Sequence, residues 1–119
     1  MTYTILPLTQ DTRQSFTLTL SINGESFYAR MEVRYLPASD CWVLSIWNQA
    51  TGELLINMIP LICSYGRIND LLALFSFLRN GQGLGSLFVL RNVDHPSTPD
   101  PARNNISEFQ VLWGDTYQL

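Results

Sequence analysis

Residues 15–22 alternate without a fault: Phe16, Leu18, Leu20 and Ile22 are apolar, and Ser15, Thr17, Thr19 and Ser21 between them are small and polar. A period of two is rewarded by only one regular element, a β-strand with one face on a core and the other in water. Asn23-Gly24 follows at once, and both residues tolerate positive φ, so the spacing predicts a type I′ hairpin turn. The returning strand carries Phe27, Ala29, Met31, Val33 and Tyr35 on its inner face and Tyr28, Arg30, Glu32 and Arg34 on its outer face. A chain that begins this way is committed to antiparallel pairing.

Residues 36–40 read as a turn, and a second hairpin follows over residues 41–58. Its first arm places Trp42, Leu44 and Ile46 on one face and Cys41, Val43, Ser45 and Trp47 on the other. Both faces are largely apolar, so this strand belongs in the middle of the fold. Gly52 closes the turn, and Pro60 ends the fourth strand or puts it at an edge. Residues 61–65 extend it as a short piece before Gly66.

Asn69 and Asp70 are good helix caps, and Leu71, Leu74, Phe75 and Leu78 recur at helical spacing. Arg79 and Gly81 supply a C-terminal charge and a stop, so residues 71–79 are expected to form a helix of about ten residues. Residues 86–92 and 107–113 read as a fifth and a sixth strand, and residues 116–119 as a short seventh piece. Residues 94–105 hold three prolines among polar side chains and read as a long exposed loop. Residues 1–13 read as an irregular arm that Pro7 keeps out of any ladder. The expected architecture is one mainly β domain over residues 1–119. It would be a small antiparallel barrel or sandwich of about six to seven strands, with one α-helix between strands four and five. The core should hold Phe16, Leu18, Leu20, Phe27, Met31, Val33, Trp42, Leu44, Ile46, Leu71, Leu74, Phe75 and Leu87.

The surface is unusual. Only 14% of the 119 residues are charged although 46% are hydrophobic, and mean hydropathy is +0.06. A small chain with so little charge is expected to have part of its surface covered by a partner. All seven basic residues are arginine. Arginine is the cation enriched in interfaces, where lysine is depleted. A net charge of −3 and a pI near 4.8 argue against a nucleic-acid footprint. The N-terminus has no basic stretch before an apolar one, so no export signal is expected, and no apolar run is long enough to span a bilayer.

Catalysis finds little footing. His95 is the only histidine and stands in the proline-rich loop, and no serine or cysteine has a base and an orienting acid to match it. Cys41 and Cys63 with one histidine fall short of a zinc set, and the ten acidic residues are scattered. No metal or cofactor is expected. Each cysteine stands in an apolar run where a free thiol serves as a small hydrophobe, though their pairing stays open. Gly81-Gln82-Gly83-Leu84-Gly85 lacks the Lys-Ser/Thr of a P-loop and precedes a strand, not a helix. Trp42, Trp47 and Trp113 leave one alternative open, a carbohydrate-binding β-module that stacks sugars on indole rings.

Taken in order, the chain resembles the small baseplate plug proteins of contractile-tailed phages, a family first defined in a cyanophage baseplate. The likeness runs from about Leu6 to the C-terminus. It is carried by residues 16–28 with their Asn23-Gly24 turn, by Trp42-Val43-Leu44-Ser45-Ile46-Trp47-Asn48 with Gly52, and by Asp70-Leu71-Leu72. Gly85-Ser86-Leu87-Phe88-Val89-Leu90 and an end near Tyr117 complete it. The chain departs from the family over residues 61–69, in its expected apolar helix and in its Gly81 to Gly85 run. The resemblance implies a structural virion protein at the distal end of the tail tube, made in the host cytoplasm and helping to close the lumen. It implies hub, tube-end and spike proteins as partners, with no membrane insertion. The expected contact residues are Tyr28, Arg30, Glu32 and Arg34 on the second strand, and Asp94, His95, Asp100 and Arg103 in the long loop.

Overall fold

The computed structural model describes residues 3–22, 25–64, 69–75 and 83–115. Seven strands run in chain order: β1 (Tyr3–Ile5), β2 (Arg13–Ile22), β3 (Glu25–Leu36), β4 (Cys41–Asn48), β5 (Leu54–Pro60), β6 (Ser86–Arg91) and β7 (Phe109–Gly114). They form two antiparallel sheets, one in the order β2-β3-β4-β5 and one in the order β1-β7-β6. Among the described residues the sheets do not close into a barrel. Leu20, Met31, Val33, Trp42, Leu44 and Ile46 from the first sheet join Leu87, Val89, Val111 and Trp113 from the second in one hydrophobic cluster.

The β2–β3 hairpin forms as its alternation requires. Ile22 pairs with Glu25, which leaves two residues for the connection; the predicted turn at Asn23-Gly24 lies outside the described residues. Phe27, Ala29, Met31 and Val33 are buried, while Tyr28 is exposed. Phe16 and Leu18 are only half-buried because β2 is the end of its sheet, and Leu20 beyond them is buried.

Strand β4 is interior, as its two apolar faces predict. Trp42, Leu44 and Ile46 are fully buried, and Val43 and Ser45 on the other face are also buried. Strand β5 pairs with it irregularly. Leu44 faces Ile59, Ile46 faces Ile56 and Trp47 faces Leu54, so β5 carries an extra residue at two places. At the first, Met58 has φ +57°, and its N–H donates to Ser45 Oγ at 3.0 Å.

Beyond Pro60 the chain crosses to the second sheet. Leu61 N–H donates to the Trp42 carbonyl, Cys63 makes a parallel bridge to Val89, and Ser64 N–H donates to the Val89 carbonyl. Cys41 and Cys63 are not joined in a disulfide, and Cys63 is buried.

Four expectations need correction. The N-terminal arm is not irregular throughout: Tyr3, Thr4 and Ile5 pair with Gly114, Trp113 and Leu112, ahead of Pro7. The seventh strand is therefore β1; residues 116–119 lie outside the described ones. The expected α-helix is absent among the described residues, where only a 3-10 turn, Ala73–Phe75, follows Asp70. Leu71 N–H is bonded to the Leu87 carbonyl, and Asp70 Oδ1 accepts from both Leu72 N–H and Leu87 N–H. The chain is thus stitched to β6 at the point where a helix would have to leave it. Leu74, expected in the core, is 86% exposed, and Leu71 and Phe75 only pack against its margin. Residues 76–80 lie outside the described residues. The sixth expected strand starts two residues late, because Ile106–Glu108 forms a 3-10 turn before β7.

Gly85 is required where it stands. It has φ +80°, and a Cβ there would lie 2.3 Å from the Gly114 carbonyl oxygen and against the Trp113 ring. Trp113 Nε1 donates to the Leu84 carbonyl at 2.6 Å, which brings the two strands this close.

Leu44 is fully buried on an interior strand, so Leu44→Ala leaves a cavity that neighbours on both sides hold open. The expected loss is about 2–5 kcal/mol by chemical denaturation, and unchanged stability would place the core elsewhere.

Candidate interaction surface

The outer face of β3 is built by cross-strand rows. Arg34 stands between Arg13 of β2 and Val43 of β4, Glu32 between Ser15 and Ser45, and Arg30 between Thr17 and Trp47. The Arg30 guanidinium lies over the Trp47 ring, 4.1 Å from its centroid. Such stacking uses the face of the guanidinium and leaves its edge donors for carboxylates or carbonyls. Glu32 meets Arg13 Nε at 3.6 Å, but Arg13 is 73% exposed, so the pair contributes little to stability. Tyr28 is exposed and its hydroxyl donates to Thr17 Oγ1 at 3.3 Å. Among the described residues, neither Arg30 nor Arg34 has a carboxylate partner, and both are half-buried.

The long loop is placed differently. Ala102 and Asn105 are buried, so the expectation of an exposed loop fails over this stretch. Trp42 Nε1 donates to the Ala102 carbonyl at 2.8 Å, and Ala102 N–H donates to Asn105 Oδ1 at 2.8 Å. Asn105 Nδ2 donates to Thr98 Oγ1 and Glu108 Oε2, and Glu108 accepts from the N–H and the hydroxyl of Ser97. The buried indole N–H needs an acceptor, and this network holds the loop in place to supply one.

The four loop residues expected to meet a partner divide accordingly. Asp94 and His95 are exposed. Asp100 is turned inward, its Oδ1 accepting from Cys63 N–H at 2.8 Å. Arg103 lies over the Tyr35 ring at 5.8 Å, and its N–H donates to Asp40 Oδ1. Tyr35 and Trp42 belong to the inner face of their sheet, whereas Arg30 and Arg34 belong to the outer. The structure therefore does not bring the loop and the arginine face together on one side of the sheet. Asn105 and Glu108, which hold the loop, escaped sequence reasoning because a polar segment carries no period to expose them.

Two indole rings are closed to sugars. Trp42 and Trp113 are buried, and Trp47 is covered on one face by Arg30, so the carbohydrate-module alternative loses its platform. Among the described residues no three His, Cys, Asp or Glu side chains gather to hold a metal ion, and no helix is long and apolar enough to cross a membrane.

A family model described as "Cyanophage baseplate Pam3 plug gp18" matches residues 3–116, nearly the whole chain. The chain belongs to this baseplate plug family. Membership gives the plug-family chain a structural role in a phage baseplate, a place in the virion tail and contacts with other baseplate proteins. No curated protein sequence matches it.

The loop network makes a pH prediction. The Ser97 N–H and hydroxyl, and then Asn105, hold the Glu108 carboxyl below the usual glutamate value of 4.5. An acid whose value is lowered by folding adds stability that is complete above the unfolded value and is lost as pH falls through the folded one. Acid titration is expected to destabilise the protein below pH 4.5 through this group, and Glu108→Gln to remove that part of the slope. An identical acid slope in Glu108→Gln would show that the network does not hold the loop.

Proposed function

We propose that this chain helps close the distal end of the tail tube, acting as one plug-like β domain that meets hub, tube-end and spike proteins. The observation that carries the reading is the family match over residues 3–116. What supports the choice of surface is the outer face of β3. Two half-buried guanidiniums without carboxylates among the described residues, one of them ordered by Trp47, await acceptors from another protein. Tyr28 and Glu32 flank them and complete the face. Of the loop residues, Asp94, His95 and the exposed Arg103 remain as a second contact, since Asp100 is turned inward to Cys63.

The role is assembly and not chemistry. An acidic chain without lysine makes a poor grip for DNA passing down a tube. Assembly in the host cytoplasm suits two cysteines that form no disulfide.

Arg30→Glu/Arg34→Glu reverses the charge of the face without touching the core. The variant is expected to fold, as judged by circular dichroism, and to leave few intact tails under the electron microscope. Normal numbers of infective particles carrying it would refute the proposed face.

A further inference from the structure

Each sheet has two edges, and three of the four are blunted. Strand β5 has its two bulges and Pro60, and β1 is only three residues long. Strand β6 is covered by the Cys63 bridge and by the bonds from Ser64 and Leu71. These are the devices by which proteins keep sheet edges from pairing with other chains. Among the described residues the ten-residue β2 has none of them: no proline, no bulge, no covering segment and no charge after Arg13.

The ladder shows which groups β2 offers. Tyr35 N–H donates to the Thr12 carbonyl, so Thr12 and Tyr35 form a hydrogen-bonded pair, and pairs alternate from there. Gln14, Phe16, Leu18 and Leu20 therefore turn their backbone groups to β3. Ser15, Thr17, Thr19 and Ser21 turn theirs outward, where among the described residues nothing bonds them. The connection before β2 is tied to Gln14 by bonds from Thr9 and to Asp11, which leaves residues 15–21 as the open edge.

We propose that this edge pairs with the same edge of a second copy, antiparallel, about a two-fold axis at Leu18. Residues 15–21 read nearly the same in both directions: Ser15 faces Ser21, Phe16 faces Leu20, Thr17 faces Thr19 and Leu18 faces itself. The register joins outward-turned residues to outward-turned residues, as a hydrogen-bonded ladder needs. Threonine and serine pairs meet on the outer face, and Phe16 and Leu18, left half-buried at the sheet's end, gain the copy's Leu20 and Leu18 on the inner face. No charge lies in the paired segment, so no like charges oppose.

The test uses the full chain in a dilution series. Light scattering is expected to show a dimer that dissociates on dilution. By NMR, the Thr17 and Thr19 amides should exchange slowly in the dimer and rapidly once diluted, whereas Phe16 and Leu18 amides stay protected throughout. Thr17→Lys/Thr19→Lys sets lysine opposite lysine on an exposed face, and should weaken the dimer at least about tenfold. Gln49→Lys/Asn57→Lys adds the same charge at other exposed positions and should leave the dimer unchanged. A monomer at every concentration, unprotected Thr17 and Thr19 amides in a dimer, or a dimer indifferent to the β2 lysine pair would overturn the proposal. The monomer would leave the edge to a strand of another baseplate protein.

Discussion

The indole N–H of Trp42 sets the terms for much of the rest. Its ring fills the centre of the core with no exposure at all, which is favourable only if the one polar atom it takes inside finds an acceptor. That acceptor is the Ala102 carbonyl, sixty residues on in the chain. A loop carbonyl can serve only if the loop stands still, and Asn105, Thr98, Ser97 and Glu108 hold it by a closed set of hydrogen bonds. The carbonyl of Trp42 meanwhile receives Leu61 N–H and directs the chain toward the second sheet. Trp113 repeats the arrangement in that sheet, with Leu84 as acceptor and Gly85 as the residue that permits the approach. Two buried tryptophans thus fix the β6–β7 loop and the segment that enters β6.

How much of this was legible follows from the reach of each signal. The β2–β3 hairpin is written in residues adjacent in sequence, because alternation and a two-residue turn are local properties. The interior position of β4 was legible from its two apolar faces. The helix over residues 71–79 was misread because its spacing was sound but its competitor was distant. Asp70 has the side chain of a helix cap, yet half of what it caps is Leu87 N–H on another strand. Strand β1 was missed for the opposite reason: three residues before a proline hold too little pattern to weigh against an arm, and their pairing with β7 depends on the far end of the chain. Of the candidate contact residues, those on β3 could be placed on a face by parity alone. Those in the loop could not, and the Asp100 carboxylate turned out to be committed to Cys63 N–H.

The scarcity of charge has a structural counterpart. An outer strand face normally keeps solvent by carrying lysine and glutamate, side chains that are costly to immobilise. Here the same face carries no lysine and, beside Glu32 and Tyr28, arginine stacked on tryptophan or set between strands, and small hydroxyls. Those choices reduce the entropy lost when the face is covered, since Arg30 is ordered before any partner arrives and serine and threonine have little freedom to lose. A surface of that kind suits membership of a permanent assembly better than a life in dilute solution.

The distribution of edge protection leads to the same view by a separate route. Protecting a sheet edge requires a bulge, a proline, a charge or a covering segment, and each departs from the regular pattern that makes a strand fold readily. Strand β5 accepts two bulges and a residue at φ +57°. Strand β6 accepts a crossing segment with a buried cysteine. That β2 accepts nothing among the described residues, and keeps a regular uncharged run over residues 15–21, distinguishes it from the other three. In a soluble monomer such a run is the first place where unwanted pairing would start. In a baseplate component the same regularity becomes useful, because a regular edge is the one surface on which backbone groups alone can specify both the direction and the register of a neighbouring strand.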